Sequence, residues 1–277
     1  MCGLAGTIRN YENKSTDIGL MQSTIAFEQI LINAQSRGKH ASGYAIISNH
    51  GYNLYKRPIK ASELILTDIH AELMENHVNN DVYAIIGHTR YATQGSPKVS
   101  YNNHPIRAGH IIGTHNGSIW NDAELEEMFD IDERMGTVDS EILFRLLGDT
   151  PLEDFIDCKL PNVRGFISSV WSDVNQPNIV YMLKGNKPLS MVYSKKYDSF
   201  FYASLESHLQ NVSYLDDVEP IELKQNTLYK INTEGLHIEE FDISFSQIKT
   251  IPKFVPRYTY KEILNGREND KQGKLFN

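Results

Sequence analysis

Apolar positions recur with helical spacing in one long stretch near the start of the chain, and with strand spacing on both sides of it. Residues 2–8 form a short apolar run broken by glycines, which predicts a strand. The capping cluster Ser15-Thr16-Asp17 predicts the start of a helix, and apolar residues at helical spacing follow over residues 17–34. The apolar stripe of this helix consists of Ile18, Met21, Ile25, Ile30, Leu31 and Ala34. We expect the helix to end near Arg37-Gly38, where glycine can adopt the left-handed conformation.

The rest of the chain contains short apolar runs that predict many strands and few helices. Residues 44–48 and 52–57 predict a hairpin, because turn residues separate them. The other predicted strands are residues 82–90, 111–114, 166–172, 179–184, 189–193, 200–204, 227–232 and 237–241, and the other predicted helices are residues 61–76, 121–129 and 140–147. This order favours two stacked sheets with helices outside them over a doubly wound parallel sheet.

Composition and charge exclude several classes of protein. The chain has 277 residues, of which 40% are apolar, and its net charge of −8 provides no basic surface for nucleic acid. It lacks the run of about 18 apolar residues that a transmembrane helix needs and the charged and apolar segments of a secretory signal. We therefore expect a cytoplasmic protein without a membrane partner. One domain over residues 1–243 is expected, followed by a polar docking segment and disordered tail over residues 244–277.

The two cysteines differ in their sequence surroundings. Cys158 has apolar neighbours, which favours a buried structural thiol. Cys2 follows Met1, so removal of Met1 would put a thiol and a free amine on one residue. An N-terminal amine is a recognised base for a nucleophile of this kind, and the usual pKa values, about 7.7–8.0 for the amine and about 8.5 for the thiol, allow proton exchange near neutral pH. The alternative is a start methionine that happens to precede a cysteine.

Polar residues follow several predicted strands and suggest a binding site. Arg90, with Thr93 nearby, could hold a carboxylate through two parallel hydrogen bonds. Asn116 and the backbone N–H of Gly117 offer the two donors that a tetrahedral oxyanion requires. Asp139 could pair with an ammonium group. Each also has a simpler interpretation on its own: a salt bridge for Arg90, a turn for Asn116-Gly117 and a helix cap for Asp139.

Four histidines raise the question of a metal. They are His88, His104, His110 and His115. Their spacing contains neither two histidines on one helical face nor a cysteine partner, so no metal site is predicted. Hydrogen bonds that order the loops around the site explain them better.

Six short motifs in order carry a family resemblance. They are Cys2-Gly3-Leu4-Ala5-Gly6, Arg37-Gly38 with Ala41-Ser42-Gly43, Gly87-His88-Thr89-Arg90-Tyr91-Ala92-Thr93, Asn103-His104-Pro105, His115-Asn116-Gly117 and Asp139-Ser140-Glu141. With them the chain resembles the class II glutamine amidotransferase domain, an N-terminal-nucleophile hydrolase. Among these domains it is most similar to the glutaminase half of glucosamine-6-phosphate synthase.

The resemblance implies an α+β fold, a four-layer α/β/β/α sandwich of two stacked antiparallel sheets. It also implies that Cys2 attacks the side-chain amide of L-glutamine and forms a thioester, with its own amine as base and no cofactor. Asn116 and Gly117 would hold the oxyanion. The substrate carboxylate would contact Arg90 and Thr93, and its ammonium group would contact Asp139.

Two further pairs of residues belong to the implied site with less definite roles. Arg37 and Gly38 would support the nucleophile. Tyr91 stands where the synthase-type motif often has Trp, and Val138 stands where Thr is common. Gln94 stands where the motif usually has His, so the glutamine contacts at this position do not follow from the resemblance.

Three functions remain open from the sequence. The preferred one is a glutaminase module that supplies ammonia to a separate synthase or acceptor subunit, since no motif of an acceptor domain is found. The second is an N-terminal-nucleophile amidase for another amide, and the third is a non-catalytic regulatory domain with the same fold. A homo-oligomer is possible in each case.

Overall fold

Two antiparallel sheets stacked face to face form the centre of the molecule in a computed structural model, which describes residues 1–132, 134–148 and 150–244. In chain order, the strands are β1 (Gly3–Arg9), β2 (Ala41–Ser48), β3 (Gly51–Arg57), β4 (Val82–Arg90), β5 (Ile106–Ala108), β6 (Ile111–Ile119), β7 (Gly165–Asp173), β8 (Gln176–Lys184), β9 (Ser190–Ser194), β10 (Ser199–Ala203), β11 (Val218–Ile221), β12 (Thr227–Asn232) and β13 (His237–Asp242). The strand orders are β11-β9-β10-β1-β4-β2-β3 in the first sheet and β13-β12-β8-β7-β6-β5 in the second.

Helices cover the outer faces of both sheets. They are α1 (Asp17–Ala34), α2 (Ala61–Leu64), α3 (Asp68–His77), α4 (Asp122–Met128), α5 (Ser140–Leu147) and α6 (Leu152–Asp154). Helix α1 packs on the first sheet through side chains such as Phe27 and Ile30, and α5 packs on the second through Ile142 and Phe144. The predicted four-layer α/β/β/α sandwich is therefore confirmed.

A third apolar layer lies between the sheets and joins them. Leu4 and Ile86 of the first sheet belong to the same buried cluster as Ile112 and Val170 of the second. Full burial of each such side chain contributes about 1.5–3 kcal/mol. This layer ends where the strands end. Polar residues from both sheets can therefore meet at one end of the sandwich.

Helix α1 begins where predicted, at Asp17, but it ends at Ala34, before the expected end near Arg37-Gly38, and it does not bury the whole predicted stripe. Thr16 caps it, since its hydroxyl accepts a hydrogen bond from the N–H of Gly19 at 3.1 Å. Ile18 and Met21 are exposed, whereas Ser23 and Thr24 are buried. Both hydroxyls donate to the carbonyl of Leu20, so the helix backbone satisfies them and the buried face can turn toward them.

Several other sequence predictions were wrong in detail. Gly38 does not adopt the left-handed conformation expected at the end of α1. The helix predicted over residues 61–76 is divided into α2 and α3. Cys158 is exposed and not a buried structural thiol. Strand β6 continues to Ile119, five residues beyond its predicted end.

None of the helices in the described residues is long and apolar enough to cross a membrane. The segment predicted to dock and then become disordered, residues 244–277, lies outside the described residues except for Ser244.

Candidate active site

The thiol of Cys2 lies where the start of β1 meets the end of β4. These strands are antiparallel, with Gly3 opposite Thr89, so Cys2 is brought to the segment that follows Arg90. The N–H of Tyr91 donates to the Cys2 Sγ at 3.4 Å. The thiol in turn donates to the Tyr91 carbonyl oxygen at 3.7 Å. The backbone of Tyr91 therefore contacts the sulfur through both its N–H and its carbonyl oxygen.

Arg37 and Gly38 support this junction from the segment after α1. The Arg37 Nε donates to the Cys2 carbonyl oxygen at 2.6 Å. Gly38 packs so closely on the chain that a Cβ there would lie 2.3 Å from the Arg90 carbonyl carbon. A side chain at Gly38 would push Arg90 and Tyr91 away from the thiol. The structure thus brings both predicted supporting residues to the nucleophile.

The charge state of the Cys2 thiol depends on burial and on neighbouring charges. Burial raises the pKa of the thiol. The hydrogen bond from Tyr91 and the positive charges of Arg90 and the N-terminal amine lower this pKa, whereas the carboxylate of Asp139 raises it. A base that removes the proton during attack would therefore matter more here than a permanently ionised thiol.

The N-terminal amine that could serve as this base belongs to Met1 in this chain. Burial lowers the pKa of the amine, and so do the positive charges of Arg37 and Lys187, while Cys2 raises it. A lowered pKa increases the fraction of neutral amine near pH 7, which is the form that accepts a proton. Removal of Met1 would transfer the terminal amine to Cys2.

Arg90 is buried at the end of β4 and organises the loop that follows. Its guanidinium donates to the Asn103 Oδ1 at 2.8 Å, to the Gly95 carbonyl at 2.8 Å and to the Gln94 carbonyl. These bonds account for three of the five donors of a guanidinium. Burial lowers the pKa of Arg90 to about 10, so the side chain keeps its charge at neutral pH. The salt-bridge interpretation does not describe these contacts.

Thr93 is exposed on the same loop, and Tyr91 is 44% exposed beside the thiol. Gln94 is partly buried and contributes its backbone carbonyl to Arg90. Thr93 therefore lies on the loop that directly follows Arg90, and the Arg90 guanidinium determines the shape of this loop.

Asn116 and Gly117 lie on the second sheet, and Asn116 is connected to the segment that follows Cys2. The Asn116 amide donates to the Ser204 hydroxyl at 3.4 Å, and this hydroxyl accepts from the N–H of Leu4 at 2.7 Å. Asn116 is thus connected through one hydroxyl to the strand that carries Cys2. Both residues lie inside β6, so the turn interpretation of this dipeptide was wrong.

Gly117 is opposite Ile167 in the pairing of β6 with β7. A Cβ on Gly117 would lie 1.6 Å from the Phe166 carbonyl oxygen. Only glycine fits this close approach of the two strands.

Asp139 lies directly before α5, but its carboxylate is used to bind β6. Its Oδ2 accepts from the N–H of Ile119 at 2.6 Å, two residues beyond Gly117. Burial raises the pKa of Asp139, and the nearby His115 and the Ile119 N–H lower it. The hydrogen bond to β6 therefore fixes the position of Asp139 relative to Asn116 and Gly117, which lie on the same strand. The carboxylate of Asp139 is buried there.

Three of the four histidines contact one another, and His110 makes a separate contact. His88 and His104 stack at 4.1 Å between ring centres, and the His88 Nε2 lies 3.1 Å from the His115 carbonyl oxygen. The His115 Nδ1 lies 2.8 Å from the Ser140 hydroxyl, and His110 contacts Asp173. No cluster of three or more metal-binding side chains occurs within residues 1–132, 134–148 and 150–244.

Sequence reasoning missed three residues at this site. His40 contacts the segment after Arg90, Ser204 connects Asn116 to β1, and Lys187 affects the pKa of the terminal amine. Ser204 follows β10, so its position at a strand end was a detectable clue. The contacts of His40 and Lys187 depend on the folded chain.

Comparisons with known proteins relate the chain to synthases and to aminotransferases. A 7-cyano-7-deazaguanine synthase of Saccharolobus solfataricus is 26% identical over 248 residues, which cover 82% of this chain and 49% of that protein. A glutamine–fructose-6-phosphate aminotransferase of Sulfurisphaera tokodaii is 29% identical over 191 residues, which cover 68% of this chain and 29% of that protein. No protein-family profile matches the chain.

Solved structures show a related fold. The glutamine phosphoribosylpyrophosphate amidotransferase from B. subtilis, complexed with ADP and GMP, superposes with a TM-score of 0.63 at 20% identity, covering 88% of this chain and 49% of that one. A structure of the allosteric regulatory enzyme of purine biosynthesis gives a TM-score of 0.65, also at 20% identity. At such low identity the likeness establishes the fold alone. The chain spans about half the length of the curated synthases that it matches.

Proposed function

We propose that this chain, a class II glutamine amidotransferase domain with the N-terminal-nucleophile hydrolase fold, hydrolyses the side-chain amide of L-glutamine through a thioester at Cys2. The observation that carries the proposal is a convergence of residues from distant parts of the sequence. Cys2, Arg90, Asn116 and Asp139 lie at one end of the paired sheets, and the contacts above connect them.

The first step is attack by the Cys2 sulfur on the amide carbon of glutamine. The sulfur forms a bond to this carbon, and the thiol proton passes to the terminal amine, which belongs to Cys2 once Met1 is removed. An N-terminal amine has an ordinary pKa of about 7.7–8.0, so part of it is in the neutral, proton-accepting form near pH 7. The proton then goes to the leaving nitrogen when the C–N bond breaks, so that ammonia departs and a thioester remains. Water hydrolyses the thioester to glutamate.

The negative charge of each tetrahedral intermediate is assigned to Asn116 and Gly117. The side-chain amide of the one and the backbone N–H of the other are preorganised, because both lie inside β6 and the Ser204 hydroxyl contacts the Asn116 amide. Fixed donors aimed at a developing oxyanion stabilise the transition state without reorganisation.

Recognition of the amino-acid end of glutamine is assigned to charges of opposite sign. The buried cation of Arg90, with Thr93 on the adjoining loop, would bind the carboxylate. The buried carboxylate of Asp139 would bind the ammonium group. Tyr91 and Gln94 would line the entrance, since both belong to the loop that Arg90 holds.

The ammonia would be used at an acceptor site outside this domain, which we take to comprise residues 1–243. Two observations support this part of the proposal. The relatives are named as a synthase and an aminotransferase, and the chain matches only part of each. The acceptor module is proposed to be a separate enzyme, and the cytoplasm remains the expected location.

The test is intact-mass spectrometry of the purified protein before and after treatment with 6-diazo-5-oxonorleucine, a glutamine analogue that alkylates a catalytic thiol. We expect loss of Met1, one adduct at Cys2, and production of glutamate and ammonia from glutamine. Cys2→Ser should lose both the adduct and the activity. The matched control, Cys158→Ser, removes an exposed thiol and should retain both. Retained Met1 together with an unlabelled Cys2 would contradict the proposal.

A further inference from the structure

His40 lies beside the nucleophile without belonging to any of the roles assigned above. Its backbone N–H donates to the Arg90 carbonyl at 3.0 Å. Its ring Nδ1 accepts from the N–H of Ala92 at 2.9 Å. His40 therefore forms hydrogen bonds with the residues on both sides of Tyr91, and the backbone of Tyr91 contacts the thiol.

The ring of His40 also packs on the Tyr91 side chain. The two ring centres are 4.8 Å apart and the planes are inclined by 30°, which is a stacked arrangement. Tyr91 is otherwise 44% exposed, and β4 ends just before it. The segment thus lacks the sheet pairing that holds Arg90, and the contacts with His40 act where that pairing stops.

We propose that His40 is a positioning residue, which holds residues 90–92 so that the Tyr91 N–H stays aimed at the Cys2 sulfur. This inference deepens the proposed function and rests on it for its catalytic meaning. Loss of the Nδ1 acceptor would release the Ala92 N–H and loosen the peptide that joins Tyr91 to Ala92, whose carbonyl oxygen lies 3.7 Å from the sulfur. The backbone of Tyr91 would then hold its own N–H less firmly toward the sulfur, and the hydrogen bond that lowers the thiol pKa would weaken.

The protonation state of His40 matters, because only a neutral Nδ1 can accept from Ala92. Burial lowers the pKa of His40, and so do the positive charges of Arg90 and the N-terminal amine. The ring is therefore held in its neutral, accepting form at neutral pH. Acid would protonate Nδ1 and place a donor against the Ala92 N–H.

The experiment compares His40→Asn with His40→Leu in a Cys158→Ser background, where Cys2 is the one remaining thiol. The Oδ1 of asparagine can replace Nδ1 as acceptor, whereas leucine cannot. The rate of Cys2 alkylation by iodoacetamide is measured against pH, without glutamine. We expect Cys2 of His40→Leu to be alkylated about fivefold more slowly at pH 7, the effect of losing one ordinary hydrogen bond. The midpoint of its pH–rate profile should move to higher pH. His40→Asn should stay within about twofold of the parent.

The matched control is Lys39→Leu, which changes the exposed neighbouring residue and should follow the parent profile. If His40→Leu does not fold, His40→Gln replaces it, since the glutamine oxygen reaches the Nε2 position and leaves Ala92 unbonded. A parent-like profile for His40→Leu or His40→Gln overturns the inference. Alkylation needs no glutamine, so the two proposals can fail separately. If His40→Leu slows alkylation as expected but the parent protein does not hydrolyse glutamine, the proposed function is rejected and the positioning role of His40 stands.

Discussion

The guanidinium of Arg37 donates from Nε to the carbonyl oxygen of Cys2 at 2.6 Å, across 35 residues of sequence. This bond fixes the peptide of the nucleophile and leaves its side chain unconstrained by Arg37. The thiol itself is held by the Tyr91 peptide. Backbone and side chain of Cys2 are therefore positioned by different segments, and the two contributions can be separated by mutation.

Arg37→Met should reduce the kcat of glutamine hydrolysis by about fivefold to tenfold, because the Cys2 peptide loses a charge-assisted hydrogen bond. The measurement is ammonia release under saturating glutamine. Arg57→Met is the matched control, since Arg57 is exposed at the end of β3. Equal kcat values for the two variants would contradict a role for Arg37 at the nucleophile.

Asn116→Ala should reduce kcat by about 10²–10³-fold, the usual effect of removing one oxyanion donor. Since the proposed donor would act on the intermediate more than on bound glutamine, KM should change little. Steady-state kinetics check both quantities, and Asn175→Ala in the exposed turn after β7 serves as control. A large rise in KM with an unchanged kcat would assign Asn116 to substrate binding instead.

Asp139→Asn should move the pH midpoint of Cys2 alkylation to lower pH. The Asp139 charge raises the pKa of the thiol, so its removal makes the thiolate easier to form. Arg90→Met should move the midpoint in the opposite direction, because the Arg90 charge lowers the same pKa. Iodoacetamide kinetics in the Cys158→Ser background measure both shifts.

Asp132→Asn, which neutralises an exposed carboxylate, is the control for these two charge changes. Shifts of the same sign in Asp139→Asn and Arg90→Met would show that structural disturbance, and not charge, determines the profile.

Gly117→Ala should destabilise the fold by more than about 2 kcal/mol, because the added Cβ would lie 1.6 Å from the Phe166 carbonyl oxygen and must separate β6 from β7. Urea unfolding gives the free energy of unfolding. The control is Gly109→Ala: its φ of 59° is left-handed, but nothing lies within 4 Å of its Cβ. That variant should lose only about 1–2 kcal/mol.

Local patterns determined most of the secondary structure of this protein. Strand β4 has the predicted bounds and helix α1 begins where predicted, because a continuous apolar run marks the one and capping residues mark the start of the other. The order of the elements favoured two stacked sheets. The full four-layer arrangement followed from the resemblance carried by six motifs.

The burial of individual side chains was less predictable than the secondary structure. Ile18 and Met21 fit a helical stripe, yet they are exposed, whereas the polar Ser23 and Thr24 are buried. Cys158 has apolar neighbours in sequence but lies on the outside of its helical turn. Spacing indicates that a face exists, whereas burial depends on which surface packs against it.

The sequence by itself determined the identities of the proposed catalytic groups, since Cys2, Arg90, Asn116 and Asp139 stand in recognisable motifs. Only the tertiary structure decided how they are held. The Arg90 guanidinium shapes the 94–103 loop, the Asp139 carboxylate bonds to β6, and the His40 ring grips the segment beside the thiol. These contacts join residues that pairing of the strands brings together, and no local pattern records which distant backbone group a side chain will meet.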